Sequence, residues 1–133
     1  MSVGLLIVTH DQIGELLLRT AKRMLGEMPL TAHALSVTVD ANPEVLLTQA
    51  HTLVDQINSG DGVLVLTDMY GSTPSNIAFG LMHPGSVHVI SGINLPMLIR
   101  TLNYATLDLT ALTEKAISGG KEGIFCCTQT EHA

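Results

Sequence analysis

The chain has 133 residues, 46% of them hydrophobic and only 14% charged, with a formal net charge of −6. The acidic balance speaks against a nucleic-acid binder, since phosphate backbones select basic patches, and suits a basic protein partner. No apolar run approaches the roughly 18 residues of a membrane span, and the stretch from Met1 to Asp11 lacks the basic start and the length of a secretory signal.

The length suits a single domain over residues 1–133. With no Trp and 3% aromatic residues the core must be aliphatic, and the apolar surplus points to a buried subunit interface. Strand-like and helix-like segments alternate, which predicts an α/β fold with a mainly parallel sheet. Val3–Thr9 reads as the first strand. Gln12–Leu25 follows as a helix, with Ile13, Leu16, Leu17, Ala21, Met24 and Leu25 at helical spacing and Gly26 as its stop. His33–Val39 alternates as the second strand. Asn42-Pro43-Glu44 is a helix start, with a capping side chain, a proline at the first position and an acid in the first turn; that helix should run to about Asn58. Gly62–Thr67 is a near-continuous apolar strand, the mark of burial on both faces. A short helix near Ser75–Leu81 precedes a fourth strand, Val87–Ile90. Leu95–Asn103 and Leu109–Ser118 read as helices, the latter stopped by Gly119-Gly120, and the β-prone tail Ile124–Thr130 is expected to add an antiparallel edge strand.

Two strand ends carry the chemistry. The first strand stops at Thr9-His10-Asp11, and the third at Thr67-Asp68 before the loop Gly71-Ser72-Thr73-Pro74. Ligands bind at the carboxyl ends of parallel strands, at the point where the winding reverses. In the doubly wound order 2-1-3-4, with helices on both faces, His10 and Asp68 would meet there. A carboxylate accepting from Nδ1–H would fix the imidazole tautomer and leave the Nε2 lone pair free. The Gly71–Thr73 loop leads into a helix, an arrangement suited to phosphate. The set is thin for a metal site, lacks the Gly-x-Ser-x-Gly elbow of a serine hydrolase, and has neither a Walker lysine nor a dinucleotide fingerprint. A phosphoryl group would therefore have to arrive from another protein and rest on His10. The remaining histidines have no comparable setting. Asp11 either favours the first helix start or meets a basic partner. Met69, Tyr70, Met97 and Leu98 form either an apolar docking rim or core. The adjacent Cys126 and Cys127 disfavour an ordinary disulfide and fit reduced thiols in a cytoplasmic protein.

Three segments in order, Ile7-Val8-Thr9-His10, Leu66-Thr67-Asp68-Met69-Tyr70-Gly71-Ser72-Thr73-Pro74 and Ser91-Gly92-Ile93-Asn94-Leu95-Pro96-Met97-Leu98, closely resemble the enzyme IIA domain of the mannose family of the bacterial phosphoenolpyruvate:sugar phosphotransferase system. The resemblance implies that His10 accepts a phosphoryl group on Nε2 from the phosphocarrier HPr and passes it to an enzyme IIB component for sugar uptake, so that contact with a membrane is only through a permease. It implies that Asp68 orients His10, that the Thr73 hydroxyl lies near the phosphoryl group, and that no cofactor or metal is required. It also implies a homodimer in which the last strand can be exchanged. One departure stands out: the family has two glycines where this chain has Gly71-Ser72. A regulatory module read in its phosphorylated state, and the phosphotransferase subunit of dihydroxyacetone kinase, are the alternative readings.

Overall fold

The computed structural model describes residues 2–128. Its elements run β1 (Gly4–His10), α1 (Ile13–Leu25), β2 (Ala32–Val37), α2 (Pro43–Ile57), β3 (Val63–Thr67), α3 (Thr73–Phe79), β4 (Val87–Ser91), α4 (Leu95–Asn103) and α5 (Leu109–Glu122). The four strands form one parallel sheet in the order β2-β1-β3-β4, the expected doubly wound arrangement. The reason lies in the apolar runs. All five residues of β3, and all of β1 except His10, are buried, so both strands must lie inside the sheet with helices on each face. Leu5, Ile7, Leu64 and Leu66 pack towards α1, α4 and α5, whereas Leu6, Val8, Val63 and Val65 pack towards α2 and α3. The winding reverses between β1 and β3, and their carboxyl ends are where ligands bind in such sheets.

Local chemistry sets the element boundaries. Asn42 caps α2 by accepting from the Glu44 and Val45 N–H groups, with Pro43 at the first position as expected. Asn94 and Asp108 cap α4 and α5 in the same way. The second strand ends at Val37, two residues before the sequence pattern suggested, and Val39 stands 95% exposed. Period-two alternation continues through Val39, but no neighbouring strand extends far enough to pair with it. The third helix begins two residues earlier than expected, at Thr73.

One expectation is corrected, and another is not shown. Gly119-Gly120 does not stop α5, which continues to Glu122. These glycines serve packing: a Cβ on Gly119 would sit 2.6 Å from Cβ of Arg100, and one on Gly120 would sit 2.8 Å from Cε of Met97. At Gly119, helices α4 and α5 approach so closely that a side chain would collide with the root of Arg100. The C-terminal edge strand is absent among the described residues: Ile124–Thr128 leave α5 without joining the sheet. Gln129 and Thr130 lie outside the described residues. The register of β4 pairs it with β3 alone, and β-propensity in the tail does not suffice without a ladder partner.

Gly119→Ala is expected to lose about 1–3 kcal/mol from overpacking against Arg100, despite the roughly 1 kcal/mol by which alanine outranks glycine in a helix. Urea unfolding measures this; a variant as stable as wild type would contradict the close approach.

Candidate functional site at the ends of the central strands

His10 is the last residue of β1, and Asp68 follows the last residue of β3. Asp68 Oδ2 accepts the His10 backbone N–H at 3.0 Å and lies 2.8 Å from His10 Nδ1. Its other oxygen, Oδ1, accepts the Met69 N–H at 2.9 Å. Burial pushes the Asp68 carboxyl upward, but the hydrogen bond from the His10 ring, those from the His10 and Met69 backbones and the His10 charge outweigh it and hold it below its ordinary value of 3.8. An ionised carboxylate only accepts. Nδ1 therefore carries the proton, and in the neutral ring Nε2 keeps its lone pair. The His10 side chain is 45% exposed against 14% for Asp68, so the carboxylate is sheltered and the ring reaches solvent.

The supports behind this pair are backbone groups and two side chains, Thr9 and Asn94. Thr9 Oγ1 accepts the Gly14 N–H at 2.8 Å and donates to the His10 carbonyl at 3.1 Å, tying the strand end to the first turn of α1. The Asp68 carbonyl accepts from Gly92, whose N–H also reaches the Thr67 carbonyl, and Ile93 adds a second bond to Thr67. The segment after β4 thus braces Asp68 from behind and stays out of the pocket lining. Asn94 belongs to the same brace: it caps α4 through Met97 N–H and donates to the Gly120 carbonyl.

A pocket of about 360 Å³ opens over His10 and is walled by Asp11, Val37, Thr38, Val39, Ala41, Pro43, Thr73 and Pro74. Thr73 is therefore brought to the same pocket as His10. Gly71 and Ser72 are not among its walls, and their N–H groups serve the loop itself: Gly71 reaches Ser75 Oγ at 3.3 Å and Ser72 reaches the Met69 carbonyl at 3.2 Å. Among the described residues the Thr73 N–H and hydroxyl make no hydrogen bond. Thr73 thus carries two unpaired donors on a residue that walls the pocket. A second groove of about 450 Å³ runs along β4 past Tyr70, Phe79 and Val89. Although larger, it holds none of the residues paired here.

A family model described as the PTS system fructose IIA component, EIIA-man, matches residues 4–117. The chain belongs to this IIA family. The mannose-specific EIIAB component of the same system from Escherichia coli (strain K12) is 31% identical over 127 residues, which are 93% of this chain and 39% of that protein; the chain thus spans about two fifths of the length of the curated relatives it matches. The solved mannose/sorbose-specific IIA subunit from Enterococcus faecalis superposes with a TM-score of 0.83 at 23% identity, covering 96% of each chain, and shares the fold. The transcriptional regulatory protein LevR of Bacillus subtilis (strain 168) is 26% identical over 114 residues, 83% of this chain and 12% of that protein.

Within this IIA chain the serine at position 72 is conformationally ordinary. Ser72 has φ −86° and ψ 171°, extended backbone open to any residue, and its hydroxyl donates to the Met69 carbonyl at 2.6 Å. The left-handed step falls one residue earlier, on Gly71 at φ +86°, where glycine is the suited residue. The four apolar residues read as rim or core divide: Met69 and Tyr70 are 67% and 76% exposed, whereas Met97 and Leu98 are buried. His33, His51 and His83 are exposed, and His88 Nδ1 contacts Thr113 Oγ1; His132 lies outside the described residues. Among the described residues no group of His, Cys, Asp or Glu is arranged to hold a metal, and no helix is long and apolar enough to cross a membrane. Cys126 and Cys127 are exposed free thiols. Sequence reasoning missed Thr38, Ala41 and Pro43 as pocket walls, because residues of no chemical distinction become walls only through the fold.

A depressed carboxyl stabilises the fold fully above its unfolded value and loses that contribution as pH falls through the folded one. Asp68 should therefore add a component of acid unfolding below pH 3.8. Urea midpoints measured from neutral pH downward should fall less steeply in this window for Asp68→Asn than for wild type.

Proposed function

We propose that this chain is a phosphoryl carrier of the sugar phosphotransferase system, accepting on His10 Nε2 from phospho-HPr and donating to an enzyme IIB component. The observation that carries this reading is the 2.8 Å contact between His10 Nδ1 and an ionised, sheltered Asp68, which turns the other ring nitrogen outward as an unprotonated nucleophile. Family membership supplies the reaction class, and the mannose-specific EIIAB relative has in its name the IIB partner that this chain would meet.

In the proposed step neutral His10 attacks phosphorus in line. The Nε2–P bond forms as the N–P bond of the donor phosphohistidine breaks, and that bond's electron pair stays on the donor ring. No net proton moves, because Nδ1 keeps its proton and goes on donating it to the Asp68 carboxylate. The carboxylate stabilises the positive charge that grows on the His10 ring, and the Thr73 N–H and hydroxyl meet the equatorial phosphoryl oxygens; positioning and electrostatics supply the catalysis. Gly71 and Ser72 act one step back, by holding Thr73 in place. The chain acts as one cytoplasmic IIA domain over residues 1–133, reaching a membrane only through a permease. It works as a homodimer, a reading supported by the outer edge of β4, which beyond the His83–Val87 bridge pairs with no other strand among the described residues, and by the apolar groove beside it.

A second reading has an observation of its own. The likeness to a segment of LevR favours a regulatory module in which the phosphorylated state of His10 is read rather than passed on. Transfer from the loaded chain to a IIB component separates the two.

Incubation with phosphoenolpyruvate, enzyme I and HPr should add one acid-labile phosphoryl group by intact mass, lost in His10→Ala. Labelling of that variant at the wild-type level would move the site elsewhere. Asp68→Asn should slow loading on the order of 10²-fold. Thr73→Val, which keeps the backbone donor, should slow it about tenfold, the loss of one hydrogen bond to a charged group.

A further inference from the structure

Asp11 is the one non-glycine residue with positive φ among the described residues, at +44°. The conformation has a local cause. Only Asp11 and Gln12 separate β1 from α1, and the Asp11 N–H is tied to the Val37 carbonyl at 3.0 Å. So sharp a turn suits glycine, and aspartate tolerates it at the cost of strain. The side chain does not repay this within the fold. Gln12 rather than Asp11 holds the cap position of α1, and no side chain bonds there. Among the described residues the Asp11 carboxylate makes no hydrogen bond or ion pair. It is exposed, and it walls the same pocket as His10, Thr38 and Thr73. A strained residue adjoining a reactive group is grounds for a functional inference.

Resting on the carrier reading above, we propose that Asp11 sets the transfer potential of phosphorylated His10 by placing a negative charge beside the phosphoryl group. Loading brings about two negative charges into a pocket that already holds this carboxylate. Thr73 and Asp68 stabilise the transfer, whereas Asp11 opposes the loaded end state and makes the group easier to pass on. Empty His10 carries no such charge, so the repulsion acts on one state alone and shifts the equilibrium between carriers. Charges of −1 and −2 roughly 7 Å apart in water shift an equilibrium about sevenfold without screening and about twofold at 0.15 M salt.

The experiment measures the equilibrium constant for phosphoryl exchange between phospho-HPr and the full chain, for wild type, Asp11→Asn and Asp11→Gly, from low to high salt. Asparagine accepts the left-handed backbone and removes only the charge; glycine removes the strain as well. Both variants should favour the loaded form, about twofold at 0.15 M salt and more at low salt, with the ratio to wild type approaching one at high salt. A ratio of one for Asp11→Asn at every salt concentration overturns the inference, as does a shift seen only in Asp11→Gly, which would be an effect of backbone strain. Wild type that takes up no phosphoryl group overturns the carrier reading and this inference together, whereas loading with an unchanged ratio overturns this inference alone.

Discussion

Asp68 Oδ2 accepts from both the backbone and the ring of His10, and this doubled contact joins two strand ends separated by 58 residues in sequence. The two bonds do different things. The backbone bond fixes where β1 ends relative to the loop after β3, and so keeps the carboxylate in place whether or not the ring rotates. The ring bond decides which nitrogen carries the proton. A carboxylate free to move would set neither, and the pocket above His10 would face a ring of undetermined tautomer.

What holds Asp68 still is a set of backbone contacts in successive layers. The Gly92 and Ile93 N–H groups hold the carbonyls at the end of β3, Asn94 ties the start of α4 to the end of α5, and the glycine pair in α5 lets that helix close on α4. Each layer is remote from the pocket, yet each fixes the next. The third segment resembling the mannose family meets the end of β3 through the Gly92 and Ile93 N–H groups, and Ser91, Gly92, Asn94 and Met97 line the groove along β4.

The pocket contains opposed electrostatics. The open donors of Thr73 suit a phosphoryl group, and the proposed role of Asp11 works against one. A carrier needs such opposition, because a group bound too well is not passed on. Catalysis improves when stabilisation acts at the transition state rather than on the loaded state. Met69, Tyr70 and Val39 are exposed apolar side chains, and of these Val39 walls the pocket.

Much of this was legible in the sequence because it depends on neighbours along the chain. Buried strands announce themselves as apolar runs, caps as Asn-Pro-Glu, and the alternation of strand and helix predicts an α/β fold with a mainly parallel sheet; His10 and Asp68 stood out as chemical groups at strand ends. What depended on contacts across the chain did not show. Gly119-Gly120 looks like a helix stop until α4 is seen against it, and the tail looks like a strand although no ladder forms for it among the described residues. Met69 and Met97 are the same residue type with opposite burial, since exposure depends on what packs over a side chain. The sequence by itself determined the fold class and the chemical groups available, because hydrophobic periodicity and residue type are local properties. Only the tertiary structure decided that Ser72 is unstrained, that Asp11 is not, and that Thr73 and Pro74 rather than Gly71 and Ser72 wall the pocket over His10, because backbone angles and spent hydrogen bonds depend on where the rest of the chain lies.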